Sequence, residues 1–223
     1  MTKRALVTGA TGGLGKSLCT HLVESGYHVF GVGRNLGDLS YLAGIGAEML
    51  KADLREIGAS EKIIQKFPDV DVLVNNAGIF PIKKLTSSSI GDYDETFTVN
   101  VRVPFQLMSH YIPKMRDRRS GSVINILSSS AFSGSPDTGL YCASKHALLG
   151  LTRSSFLENR GTGVNVYSVS PGSMKTKMGK TDTRQDYETF IEPDEVSKFI
   201  LFALESGGSV VYDEVRMNRA VIR

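Results

Sequence analysis

Tyr141 and Lys145 stand four positions apart in "GLYCASKHALLG", ahead of a run of helix-forming residues. Residues i and i+4 share one face of an α-helix, so this phenol and this ammonium can address the same small volume. The chemistry on offer is proton transfer. A phenol with a reference pKa near 10 is a poor acid or base at neutral pH, and a nearby ammonium would favour its phenolate and lower that pKa. Any helix offers such pairs, so the remainder of the chain decides whether this one is a site or only a first helical turn.

A second chemistry-bearing stretch is "TGATGGLG", where Thr8, Gly9, Thr11, Gly13, Leu14 and Gly15 join a short apolar run to a helical one. Glycine permits a tight turn and lets a pyrophosphate approach the helix N-terminus, whose free N–H groups and dipole favour an anion. A glycine-rich turn alone is weak evidence, but its place at a first strand-to-helix junction points to a dinucleotide. The second strand should then show which nucleotide. It ends in "VFGVGRN": Gly33 stands where an acid would hold the ribose hydroxyls of NAD, and Arg34 follows, a planar cation suited to a 2′-phosphate. This favours NADP, with NAD possible. Asp38 falls in the loop that follows, and Arg34 as a plain surface arginine is the alternative.

Such groups need a frame. Short strand-like runs occur at 4–8, 28–32, 47–51, 71–75, 122–127, 164–169 and 209–213, nearly all rich in Val, Ile or Leu, separated by segments long enough for crossover helices. Strands apolar on both faces are the mark of a parallel sheet covered on each side. The expected fold is α/β: a doubly wound, Rossmann-like domain over residues 1–223, with a parallel sheet of about seven strands and helices on both faces. Helix punctuation agrees. Gly26 suits the C′ position of the first helix, Pro193 the N1 position of the last, and Gly207 with Gly208 its end.

Composition narrows the classes further. The 41% hydrophobic and 22% charged content is ordinary for a globular chain, and a formal charge of +3 does not argue for nucleic acid. Lys114, Arg116, Arg118 and Arg119 are read as cations meeting carbonyls at a helix C-terminus. Cys19 and Cys142 have neither zinc nor disulfide spacing, so no metal is expected and a reducing compartment fits. With no secretory h-region and no membrane-length apolar run, the expectation is a cytoplasmic protein without a membrane partner.

The motifs taken together resemble the short-chain dehydrogenase/reductase family across essentially the whole chain. In the family's order come "TGATGGLG", "NNAG" at 75–78, Asn100 in "FTVNVRVPF", Ser128 in "INILSSSAF", "YCASK" at 141–145 and "SPGSMKT" at 170–176. The resemblance implies an oxidoreductase that interconverts a ketone or aldehyde and an alcohol by hydride transfer, with a nicotinamide cofactor and a small-molecule substrate. It assigns Tyr141 as general acid/base, Lys145 as the cation that tunes it and bonds the nicotinamide ribose, Ser128 as the group that polarises the carbonyl, and Asn100 as holder of a relay water. Ser129 or Ser130 could replace Ser128, and Asn100 could instead be a helix-interior side chain bonded to backbone. Asp53 and Leu54 after the third strand would meet the adenine, Asp53 being equally suited to cap the next helix. Asn76, Ala77 and Gly78 would lie along the adenosine ribose, and Pro171, Gly172 and Thr176 beside the nicotinamide carboxamide, a surface threonine being the plainer alternative for Thr176.

Substrate choice would rest on 79–91, 129–139 and a loop near 173–190, whose charges are read as solvated, so no substrate is named. The ending "VVYDEVRMNRAVIR" departs from the Asp-Gly-Gly ending of the family's acyl-carrier reductases. A homodimer or homotetramer built on the helices after Thr96 and Gly139 is expected. The rival reading is a nucleotide-binding sensor or scaffold with the same fold and no turnover.

Overall fold

The first strand shows how the chain layers itself. In β1 (Arg4–Thr8), Ala5 and Val7 turn to one side of the sheet and Leu6 to the other, and all three are fully buried. An apolar strand with both faces covered must lie inside a sheet rather than at its edge. The computed structural model describes residues 2–206 and 210–221. It contains one seven-stranded sheet in the order β3-β2-β1-β4-β5-β6-β7, every pair parallel, with β2 at His28–Gly33, β3 at Glu48–Lys51, β4 at Val72–Asn75, β5 at Gly121–Ile126, β6 at Val164–Pro171 and β7 at Glu214–Met217. This is the Rossmann-like arrangement, and strand order reverses between β1 and β4, where a crevice opens beyond the strand ends.

Helices α1 (Gly13–Glu24), α2 (Leu36–Gly44) and α7 (Pro193–Glu205) bury Leu18, Leu22, Leu39, Leu42 and Ile200 against one face. On the other face, α3 (Ala59–Lys66) and α5 (Val103–Asp117) bury Ile63, Leu107, Tyr111 and Met115. α4 (Ile90–Phe97) runs into α5 through a π-helical turn at Thr98–Arg102, and α6 (Gly139–Asn159) packs Leu148 and Leu149 under Leu127. Among the described residues no helix is long and apolar enough to cross a membrane.

Two helix ends follow their sequence signals. Gly26 takes φ +81°, its N–H donates to Val23 O and that of Tyr27 donates to Leu22 O, a Schellman closure of α1. Pro193 occupies the first turn of α7. Gly207, Gly208 and Ser209 lie outside the described residues.

The seventh strand departs from the sequence reading. It begins at Glu214, five residues after the expected start at 209, and pairs Val215 with Val169 of β6. Val210 and Val211 have strand-forming side chains but stand 60% and 52% exposed. Tyr212 is drawn onto α7 instead, its ring 5.8 Å from that of Phe199. Burial of Val215 and Met217 against the core, rather than local β propensity, selects the register.

The basic cluster after α5 also acts differently from a simple helix-end effect. Arg118 pairs with Asp69 at 2.6 Å, and Arg116 donates to Asn159 Oδ1 at 2.7 Å, which ties the end of α5 to the segment before β4 and to the end of α6.

Candidate active site

The crevice beyond the strand ends holds two adjoining cavities, of about 670 Å³ and 390 Å³. Tyr141 and Leu127 line both, so the phenol stands at their junction.

The larger cavity begins at the glycine turn. Gly9 adopts φ +66°, a conformation that side chains rarely take, and a Cβ there would lie 2.8 Å from Ala77 Cα. The turn delivers α1 with no side-chain cap at Gly12 and no acid in its first turn, leaving backbone donors for an anion. Thr11, Gly13, Leu14, Gly15, Arg34, Asp53, Leu54, Asn76, Ala77, Gly78, Lys145 and Thr176 line this cavity as the sequence motifs suggested. Gly33 sits tightly packed: a Cβ would come within 2.8 Å of Thr11 Cγ2 and 3.1 Å of Leu39 Cδ2, so a side chain there would have to displace these two. Asp38 is in the first turn of α2, not in a loop, and also lines the cavity. Lys16, Lys177 and Lys180 stand around it as well, residues that no motif picked out.

Thr8, Pro171 and Gly172 do not line the larger cavity, and Asn76 and Asp53 line it with side-chain bonds to the protein. Thr8 is buried, and its hydroxyl accepts the N–H groups of Asn76 and Ala77, both at 3.1 Å, while Asn76 Nδ2 donates to Thr8 O at 2.9 Å. The two form a clamp between the ends of β1 and β4. Asp53 is gripped by Arg55, with Nε donating to Oδ1 at 2.9 Å, and that bond foremost holds its carboxyl below the usual range. Pro171 and Gly172 line the smaller cavity. Asn75 turns into the sheet and donates to Asn125 Oδ1 at 2.8 Å.

Asn100 lies in the π-helical turn, fully buried. Its Oδ1 accepts from Ile79 N at 2.9 Å, and its Nδ2 donates to Ile79 O at 3.0 Å and Ser144 Oγ at 3.0 Å. The amide therefore fixes the chain after β4 to the start of α6. A π turn in a helix is a frequent mark of a functional position. The place a Gly78 Cβ would occupy is 3.4 Å from Asn100 Oδ1 and 3.7 Å from Lys145 Nζ, so a small residue separates the amide from the lysine.

Tyr141 and Lys145 are both buried on α6, and Lys145 Nζ lies 5.7 Å from the Tyr141 ring centre. Nζ donates to Ile126 O at 2.8 Å. Burial lowers the ammonium to about 8. The phenol differs from the expectation that the cation would lower it: burial pushes it up to about 12, opposed by a hydrogen bond with Ser128. Desolvation of the buried phenolate is the leading cause of the rise. Of the three adjacent serines, Ser128 is the one that opposes the rise at Tyr141, and its oxygen accepts from Ser130 N at 3.1 Å.

The smaller cavity draws on all three segments marked for substrate choice: Phe80, the serines 129–135, and residues 173–185. The last of these is held at its base, where Ile191 N donates to Ser173 O and Lys175 N to Ile191 O, each at 2.9 Å. Asn218 and Arg219, just past β7, complete the wall. Nothing local in the sequence marks them, since only the path of β7 brings them there.

The chain matches the family model described as short chain dehydrogenase over residues 3–187. It is 30% identical over 221 residues to a 3-oxoacyl-[acyl-carrier-protein] reductase FabG of Rickettsia felis (strain ATCC VR-1525 / URRWXCal2), an alignment covering 94% of this chain and 92% of that protein. A solved short chain dehydrogenase/reductase family protein aligns with TM-score 0.89 and 32% identity, over 97% of this chain and 95% of its own. The structure of ElxO with NADP bound aligns with TM-score 0.85 and 25% identity, over 98% of each chain.

Proposed function

The chain belongs to the short-chain dehydrogenase/reductase family of oxidoreductases, and on that premise we propose that it is an NADP-dependent enzyme interconverting a ketone or aldehyde and an alcohol. The observation that carries this reading is the convergence of Ser128, Tyr141 and Lys145 where the two cavities meet. A sensor without turnover has no physical use for a buried lysine beside a buried phenol, each of which costs desolvation free energy.

The larger cavity fits a nicotinamide dinucleotide by the chemistry of its donors. The uncapped first turn of α1 would hold the pyrophosphate, Asn76, Ala77 and Gly78 the adenosine side, and Thr176 the carboxamide. Arg34 is exposed on the rim, and with glycine rather than an acid at position 33 it is the group suited to a 2′-phosphate. ElxO, similar in structure, has NADP bound. The bound nicotinamide would supply or accept the hydride.

Ser128 would orient and polarise the carbonyl oxygen by donating to it. Tyr141, protonated through the neutral range because burial raises its pKa, would give its proton to the developing alkoxide. Lys145, its ammonium 5.7 Å from the Tyr141 ring centre, would offset the phenolate that remains. Asn100 would keep the chain after β4 against α6, so that Gly78 and Lys145 hold their spacing. The helices α5 and α6 would pair the chain into a homodimer or homotetramer, and the reducing interior of the cell is the proposed location.

The direct test follows NADPH and, separately, NADH over a panel of ketones, aldehydes and alcohols. Turnover with NADPH is expected. Tight NADPH binding with no turnover of any carbonyl or alcohol would favour the sensor reading.

A further inference from the structure

Two arginines face the smaller cavity, and they are held differently. Arg184 is committed to the protein: Nε donates to Asp182 Oδ1 at 2.7 Å, Nη2 to Oδ2 at 3.0 Å, and Nη1 to Pro136 O at 3.0 Å. Arg219 makes no ion pair among the described residues. Its supports are neutral: Nη1 donates to Thr189 Oγ1 at 3.0 Å, and its guanidinium carbon lies 5.3 Å from the Phe190 ring centre. An arginine carries five N–H donors in a rigid fork, so this anchoring orients the group and leaves most donors for a ligand.

Its place is fixed by the sheet. Gly172 N donates to Met217 O at 2.8 Å, which ties the end of β7 to the turn after β6, and a Cβ on Gly172 would come within 3.9 Å of Arg219 N. Arg219 thus lines the same cavity as Ser128 and Tyr141. The Asp182–Arg184 pair cancels its own charge, so the wall carries one uncompensated positive charge. Asn218, Ser129, Ser133 and Ser173 add polar groups to a wall that also carries Phe80 and Met174.

We propose that the substrates of this site are short carbonyl compounds bearing a carboxylate, and that Arg219 is the specificity-determining residue that binds it. A single planar fork matches a carboxylate by two parallel hydrogen bonds, and a half-buried position strengthens the attraction over its value in water. A cavity of about 390 Å³ suits a small molecule rather than a long chain. The proposal rests on the carbonyl-reductase reading, and its test separates the two.

Calorimetry with succinate on the protein saturated with NADP would read the carboxylate site without turnover. Binding to the wild type is expected, weakened about 10- to 100-fold in Arg219→Met and partly restored in Arg219→Lys, as befits a charge-assisted pair. Kinetics on short keto acids and their methyl esters would read it in catalysis: the acid-over-ester ratio of kcat/KM should exceed ten in the wild type and collapse in Arg219→Met, through KM rather than kcat. Absence of succinate binding, or binding equal in Arg219→Met, would overturn the proposal, as would an ester preference in the wild type. Succinate binding that depends on Arg219 without reduction of any carbonyl would uphold the carboxylate site and count against the reductase reading.

Discussion

Replacing Lys145 by methionine isolates what burial of one charge costs the fold. Lys145 titrates near 8 in the folded protein against 10.5 in the open chain. A base whose folded pKa is depressed leaves the unfolded chain holding more protons between those values, so wild-type stability should rise with pH from about 8 to about 10.5. The full difference is about 3 kcal/mol, and about 2 kcal/mol of it is recovered between pH 7 and pH 9.5. Methionine does not titrate. The stability of Lys145→Met minus that of the wild type should therefore fall by about 2 kcal/mol across that interval, a relative change in Tm of about 4–8 °C for a chain of this size. The Ile126 carbonyl left unpaired in the variant shifts both ends of the range equally and cancels. Tyr141, raised to about 12, alters stability only above about pH 10, where the contribution of its neutral form is lost as pH rises. Urea unfolding of both proteins at the two pH values reads the difference. A gap that does not change with pH would refute the reasoning and place Lys145 in contact with water.

The same titration should appear in the kinetics. If the ammonium offsets the developing phenolate, kcat for carbonyl reduction should fall as pH rises through about 8, and this limb should be missing from the much slower Lys145→Met; a flat wild-type profile between pH 7 and 9.5 would contradict the role. Arg34→Asp should reverse the preference for NADPH over NADH, measured as the ratio of kcat/KM, because an acid repels the 2′-phosphate and removes its clamp. An unchanged ratio would move phosphate recognition to Lys16 or another base on the rim.

The parts of the fold legible in the sequence are those governed by local pattern. Six strands fall within two residues of their expected limits, five of them as apolar runs and β3 at the sheet edge as a short mixed one, and α1 ends at Gly26 because a left-handed residue is needed there. β7 was not legible. Val210 and Val211 advertise a strand, while the edge of the sheet is chosen by which residues can reach β6 and bury against α7. The site divides in the same way. The Tyr141–Lys145 spacing and the glycine turn are helix and turn geometry, readable from a few residues. The raised phenol depends on how deeply the fold buries it, and the clamp of Asn76 on Thr8 and the arrival of Arg219 beside Tyr141 join segments 50 or more residues apart, which no local pattern encodes.

The central claim, that Tyr141 moves the proton in a reaction at the junction of the two cavities, is tested most directly by Tyr141→Phe. Reduction of a carbonyl substrate found with the wild type, and NADPH affinity by fluorescence titration, would be measured on both proteins. Loss of the phenol oxygen alone should lower kcat by about 10²–10⁴-fold with NADPH affinity nearly unchanged. Full turnover in the phenylalanine variant would contradict the claim, since no proton donor would then be required at that position.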